Sequence, residues 1–367
     1  MKKFFYVFIL LKITVYLNDT NAQNNIGQLT IRGHYGFVMP HTNLMTHFTN
    51  NRHIGILEIE YNVQTDGSSV WQAAYKKPRI GTSLLFSGLN HPEILGYAIA
   101  SYYHVDIPII QSKSTVFSGR IGAGLSFLTK RFDLQHNPKN TAIGSHINCT
   151  VAGNLNLKQE LKKGYYLEGG IAIIHFSNAV FRSPNLGLNL VTAQIGITKN
   201  IFKYKCSCEK QNKRTSLQYK KRWGAAIDAA IAGKSIYPGD KNLYAAYNIS
   251  TQAHIRLSHV SRLKAGVEFF HDNTLVKEMQ RQQIFVGQES RAAKHIGIYL
   301  GHELWFSRIA VLFRSGYYVY DKWQKYSKIY QKYGIRYQFY KYAYVYVQVK
   351  THFASADYAL WGIGTNF

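Results

Sequence analysis

The sequence predicts an all-β chain, a transmembrane antiparallel β-barrel of about 14 strands within a range of roughly 12 to 16. Three observations carry the prediction: polar and apolar residues alternate along most of the chain, the first residues read as a secretion signal, and aromatics are abundant. Of the 367 residues 46% are hydrophobic and only 17% charged, with 28 Tyr, 20 Phe and 7 Pro. Such a composition suits strands whose ends meet a membrane interface.

Residues 1–22 carry Lys2 and Lys3, then an apolar stretch interrupted by Lys12, then small residues at Thr20 and Ala22. They read as a signal peptide cleaved near Ala22, which directs the mature chain to the outer membrane of a Gram-negative cell. Beyond it no run approaches the ~18 apolar residues that a membrane-crossing helix needs. Strands must therefore do the crossing.

Period-two alternation is clear in four places. Leu57, Ile59, Tyr61 and Val63 alternate with Glu58, Glu60, Asn62 and Gln64, and Cys149, Val151, Leu155 and Leu157 alternate with Asn148, Thr150, Asn154 and Asn156. Ile249, Ala253 and Ile255 alternate with Ser250, Gln252 and His254, and Leu263, Ala265 and Val267 with Lys264 and Glu268. A soluble sandwich shows the same period with its apolar face inward; a membrane barrel turns that face outward. The leader, strands of membrane-spanning length and aromatic clusters at Tyr102, Tyr103, Tyr317, Tyr318 and Tyr320 favour the barrel. Ala359, Trp361 and Ile363 lead to a terminal Phe367, an ending of the kind read by the outer-membrane assembly machinery.

The alternation places strands near 28–39, 54–64, 79–88, 94–109, 115–128, 144–158, 164–176 and 188–201. A second set follows near 222–234, 244–257, 261–271, 293–305, 308–320, 333–339, 342–353 and 357–367. Residues 203–222 are basic and lack alternation. The reading is a single barrel over 23–367, with 203–222 a long connection between 28–201 and the C-terminal strands 222–367; two smaller barrels are the alternative.

A formal charge of +25 calls for an anionic partner, and secretion makes this a phosphate-bearing lipid surface rather than nucleic acid. Cys149, Cys206 and Cys208 have neither CxxC spacing nor paired histidines, so no metal is expected and the thiols read as incidental. Nucleotide loops, dinucleotide fingerprints and the usual hydrolase elbows are missing, and no cofactor is expected.

Chemistry concentrates in IIHFSNAVFRSPNLGLN, residues 173–189. His175 and Ser177 are two apart on one strand, so they leave the same face as neighbours, near enough for the imidazole to accept the hydroxyl proton. Glu168 marks even positions of that strand as luminal, which turns His175 and Ser177 outward. Thr192, Gln194 and Thr198 do the same for the next strand, so Asn189 faces outward as well. All three sit at strand ends, where a polar side chain facing lipid costs little. A generic His-x-Ser of this kind also reads as interfacial polarity bordering a loop.

This segment resembles the lipid A 3-O-deacylase family, outer-membrane barrels also described as acyloxyacyl hydrolases, whose site carries His-x-Ser-Asn followed by Asn and an acidic residue. The match falls on His175, Ser177, Asn178 and Asn185. Broader similarity to the longer relatives runs through GHYGFVMPH (33–41), TKRFDLQHNPKNTAIGSHIN (129–148) and the ending KTHFASADYALWGIGTNF. The resemblance implies an esterase acting on lipid A in the outer leaflet, with Ser177 as nucleophile, His175 as its base, and Asn178 and Asn185 at an oxyanion hole.

The pattern departs at Asn189, where the family carries Glu. An amide can hold the ring through its carbonyl oxygen but supplies no negative charge, a loss that would cost several orders of magnitude in rate. If the N-terminus starts in the periplasm, the strand at 164–176 is the seventh and ends outside. Lys130, Arg131, Lys139 and Arg182 then lie on external loops, placed to hold lipopolysaccharide phosphates. The competing reading is a non-catalytic barrel that binds lipid or forms an anion-favouring pore.

Overall fold

The computed structural model describes residues 26–49, 52–203, 222–240, 242–353 and 355–367. The leader, Cys206, Cys208 and nearly all of the basic connection lie outside the described residues. Eight strands form the first half: β1 (Ile26–Met39), β2 (His53–Gln64), β3 (Arg79–Gly88), β4 (Tyr97–Gln111), β5 (Thr115–Leu128), β6 (Ile147–Lys162), β7 (Tyr165–Ser177) and β8 (Leu188–Lys203). Eight more form the second: β9 (Trp223–Lys234), β10 (Tyr244–Arg256), β11 (Ser261–Asp272), β12 (Lys294–Phe306), β13 (Ile309–Asp321), β14 (Ile329–Gln338), β15 (Ala343–His352) and β16 (Ser355–Asn366). Among the described residues four short helices join them: α1 (Asn43–Thr49), α2 (Val70–Ala74), α3 (Asn273–Gln282) and α4 (Glu289–Ala292).

The antiparallel transmembrane architecture is as the alternation predicts, but closure happens twice. β8 pairs back onto β1, with Ile31 opposite Ile197, and β16 pairs onto β9, with Trp361 opposite Ile231. The strands thus form two closed eight-stranded barrels instead of one barrel of about 14. The physical reason lies in the lumen. An eight-stranded barrel is just narrow enough for side chains to fill, and only such a bore lets Arg79 on β3 reach Glu168 on β7, at 2.5 Å.

Outward positions are apolar and inward positions polar, the membrane inversion. On β1, Leu29, Ile31, Tyr35 and Phe37 face out while Gln28, Thr30, Arg32 and His34 are buried. Strand lengths of 10 to 16 residues suffice to cross a bilayer.

The first lumen is layered. Toward the basal end, where β1 starts, Arg32 donates to Glu60 (3.0 Å) and Glu168 (2.8 Å), Arg79 to Asp106 (2.6 Å) and Glu168, and Arg120 to Glu60 (2.5 Å). Toward the distal mouth Val38, Ile54, Leu85, Ile174, Phe176, Leu188 and Leu190 form a dry plug. That plug backs the ends of β7 and β8 from the inside.

The second lumen is filled by Arg314, Lys332 and Tyr330 around Glu268, and by Lys264 and Arg336 around Glu303. Its tyrosines need glycines opposite them: a Cβ at Gly316 would stand 2.2 Å from the Tyr330 ring, and one at Gly362 2.3 Å from Tyr346. Helix α3, capped by Asp272 through the Thr274 N–H, follows β11 and buries its own Leu275 and Met279 with Ala292 and Ala293.

The barrels touch at both ends. Basally, Tyr75, which follows α2, stacks on Phe306 of β12 at 4.6 Å, and Trp71 meets the same ring edge-on at 6.2 Å. Distally, the Ser183 N–H donates to Ser235 Oγ (2.7 Å) and Arg182 to the Asp240 carbonyl (3.3 Å).

Candidate active site at the distal rim

His175 and Ser177 lie at the end of β7, and Asn189, the second residue of β8, stands directly opposite His175 in register. Because their even-numbered neighbours Ile174, Phe176, Leu188 and Leu190 enter the apolar plug, the three site residues turn outward at the rim. All three are half-buried. His175 Nδ1 lies 2.6 Å from Asn189 Oδ1, so the ring donates from Nδ1 and Nε2 is left as its basic nitrogen. The Ser177 hydroxyl makes no hydrogen bond among the described residues; such contacts often tighten only when substrate is bound.

The two asparagines of the connecting loop differ in what they do. Asn178 is buried: its Nδ2 donates to Ser145 Oγ (2.9 Å) and to the Arg182 carbonyl (3.0 Å), while its Oδ1 accepts from the Arg182 N–H. It braces the loop and has no amide hydrogen left for an oxyanion. Asn185 accepts the Asn178 N–H at 2.9 Å through Oδ1, which leaves its Nδ2 as a donor with no hydrogen-bond partner among the described residues. Between them the chain reverses through Ala179 (φ 50°) and Val180 (φ 63°), strained conformations for residues with a Cβ.

Gly187 closes the loop with φ 79° and donates to the Ala142 carbonyl at 2.9 Å. A Cβ here would stand 2.8 Å from His175 Cε1, so the glycine lets backbone lie flat on the imidazole. Cys149 on β6 is the register partner of Ser177 and shares its outward face.

The Ala142 bond and one from the Leu186 N–H to the Thr141 carbonyl (3.5 Å) bring the 129–146 loop to the same mouth. Asp133 organises that loop by accepting the His136 and Gln135 N–H groups, and these hold its carboxyl down to about 2, the His136 amide foremost. Lys130, Arg131 and Lys139 are exposed on it. Arg182 is committed instead to the second barrel through Asp240.

Sequence reasoning missed His41. It lies past the end of β1, with Nδ1 3.3 Å from Asn189 Nδ2 and Nε2 2.9 Å from the Leu186 carbonyl. Ser145, Gly187, Ser235 and Asp240 were also not singled out, because each acts through backbone or loop contacts that alternation does not encode.

The profile described as lipid A 3-O-deacylase (PagL) matches residues 56–198, which runs from β2 into β8 and takes in His175, Ser177, Asn178, Asn185 and Asn189 but not His41. The profile described as the acyloxyacyl hydrolase C-terminal domain matches residues 223–367, the second barrel. No curated protein matches the chain. Among solved structures, a triple mutant of the Rhodopseudomonas blastica porin is 10% identical, covers 94% of this chain and 100% of its own, and has a TM-score of 0.20. A deletion mutant of the TodX monoaromatic hydrocarbon channel is 8% identical over 95% of this chain and 90% of its own, with a TM-score of 0.18. Scores that low carry no argument about fold or function. One family profile falls on each barrel, and the chain belongs to the lipid A 3-O-deacylase and acyloxyacyl hydrolase family.

Proposed function

We propose that the protein is an outer-membrane serine esterase that removes an acyl chain from lipid A in the outer leaflet. The observation that carries this reading is the 2.6 Å bond from His175 Nδ1 to Asn189 Oδ1 beside Ser177, on the lipid-facing wall at the distal rim. Family membership supports the substrate class, and the exposed Lys130, Arg131 and Lys139 fit its phosphates.

In this mechanism Ser177 Oγ attacks the ester carbonyl while His175 Nε2 takes its proton. The tetrahedral oxyanion meets the Asn185 amide, and collapse expels the sugar hydroxyl, protonated by His175. Water, deprotonated by the same nitrogen, then hydrolyses the acyl-Ser177 ester and frees the fatty acid. Both lumens are packed with paired side chains, which supports an outer-wall enzyme over an anion-favouring pore.

The test is lipid A mass spectrometry on lipopolysaccharide-producing cells expressing the protein. Wild type is expected to remove one acyl chain, and Ser177→Ala or His175→Ala to restore it. An unchanged spectrum with the barrel verified as inserted would overturn the reading.

A further inference from the structure

We infer that His41 is a positioning residue that lets Asn189 do part of the work of a carboxylate; the inference rests on the esterase reading above. An asparagine beside a catalytic histidine is ambiguous, because its oxygen or its NH2 can face the ring. If NH2 faced His175, Nδ1 would have to accept, the proton would move to Nε2, and the base for Ser177 would be lost.

The bonds around His41 remove the ambiguity. The Leu186 carbonyl can only accept, so His41 Nε2, 2.9 Å away, carries that ring's proton. In the neutral ring Nδ1 is then an acceptor, and the group 3.3 Å from it is the Asn189 NH2. With its NH2 engaged, Asn189 presents Oδ1 to His175 Nδ1 at 2.6 Å and holds the proton there. A single backbone carbonyl thus sets the tautomer of two histidines through one amide. A carboxylate at position 189 has no NH2 to misplace and would not need His41.

The experiment is a double-mutant cycle on acyl release from micellar lipid A, with folding checked by heat-dependent gel mobility. His41→Ala should lower kcat about tenfold at unchanged KM, the effect of one ordinary hydrogen bond on which way the amide points. In the Asn189→Asp background the same change should cost less than about twofold, and His41→Gln, which can both donate and accept, should recover most of the loss. Equal losses in both backgrounds, or none in either, would overturn the role. Nitrogen chemical shifts of His175 in micelles supply a readout independent of turnover: His41→Ala should move the proton from Nδ1 toward Nε2. If wild type and Ser177→Ala leave lipid A alike, the esterase reading falls. The shifts then decide alone, an unchanged tautomer overturning the role of His41 and a changed one upholding it.

Discussion

Glu168→Ala tests whether the first barrel is held shut by its buried ions. Glu168 is fully buried and accepts from Arg79 Nη1 (2.5 Å) and Nη2 (3.0 Å), Arg32 Nη2 (2.8 Å) and Thr198 Oγ1 (2.6 Å). Arg32, Arg79, Arg120 and Lys158 face Glu58, Glu60, Asp106 and Glu168 in the same lumen, so the charges balance. Removing one carboxylate strands a positive charge, and breaking a buried pair costs about 3–5 kcal/mol. Arg79 keeps Asp106 and Arg32 keeps Glu60, which argues for that range rather than twice it. Against a total stability of roughly 5–15 kcal/mol this is a large fraction. Trp71 is the only tryptophan in the first barrel, so a variant retaining it alone reports that barrel's unfolding by denaturant from phospholipid vesicles. Glu168→Gln, which keeps the shape and loses the charge, should fall between wild type and alanine. A shift below about 1 kcal/mol for Glu168→Ala would refute the idea that the ion network holds the bore closed.

Three further outcomes concern the rim. With Cys206 and Cys208 replaced by serine, alkylating Cys149 with an apolar maleimide should abolish acyl release, since register partners stand about 5 Å apart and Cys149 is opposite Ser177; retained activity after complete modification by mass would count against the site's position. Gly187→Ala should cut kcat at least about tenfold while destabilising the barrel by only about 1 kcal/mol, because the new Cβ pushes on His175 and strains one residue at φ 79°; unfolding midpoints measured beside turnover separate the two effects. Ser235→Ala removes the acceptor of the Ser183 N–H and should raise amide exchange across 178–185 by roughly 5- to 150-fold, the range that an unsatisfied donor worth about 1–3 kcal/mol allows. Unaltered exchange would mean that the second barrel does not brace the 178–185 loop.

Strand positions and the inside-outside parity were legible in the sequence because a period of two survives wherever one face meets lipid. All sixteen candidate strands correspond to observed ones, most within two or three residues at either end. Closure was not legible. Each strand pairs locally with the next, and alternation says nothing about whether β8 turns back to β1 or goes on to β9. The deciding information sits in luminal pairs such as Arg32 with Glu168, 136 residues apart. His175, Ser177 and Asn189 were legible because parity alone sets their face. The bracing role of Asn178 was not, since it depends on Ser145, which reaches the same mouth from another loop.

Closure also explains why His41 escaped notice and why the position of Asn189 matters. Met39 pairs with Asn189 as the last step of the β1–β8 register, and His41 follows two residues later. In a single sixteen-stranded barrel β8 would pair with β9, and the end of β1 would lie elsewhere on the circumference. The narrow bore that forces Arg79 onto Glu168 is therefore what brings His41 beside the amide of Asn189. A neutral residue at position 189 is compatible with a working histidine only if something fixes its orientation. In this chain the seam that closes the first barrel supplies that residue, at the rim where the outward face meets lipid.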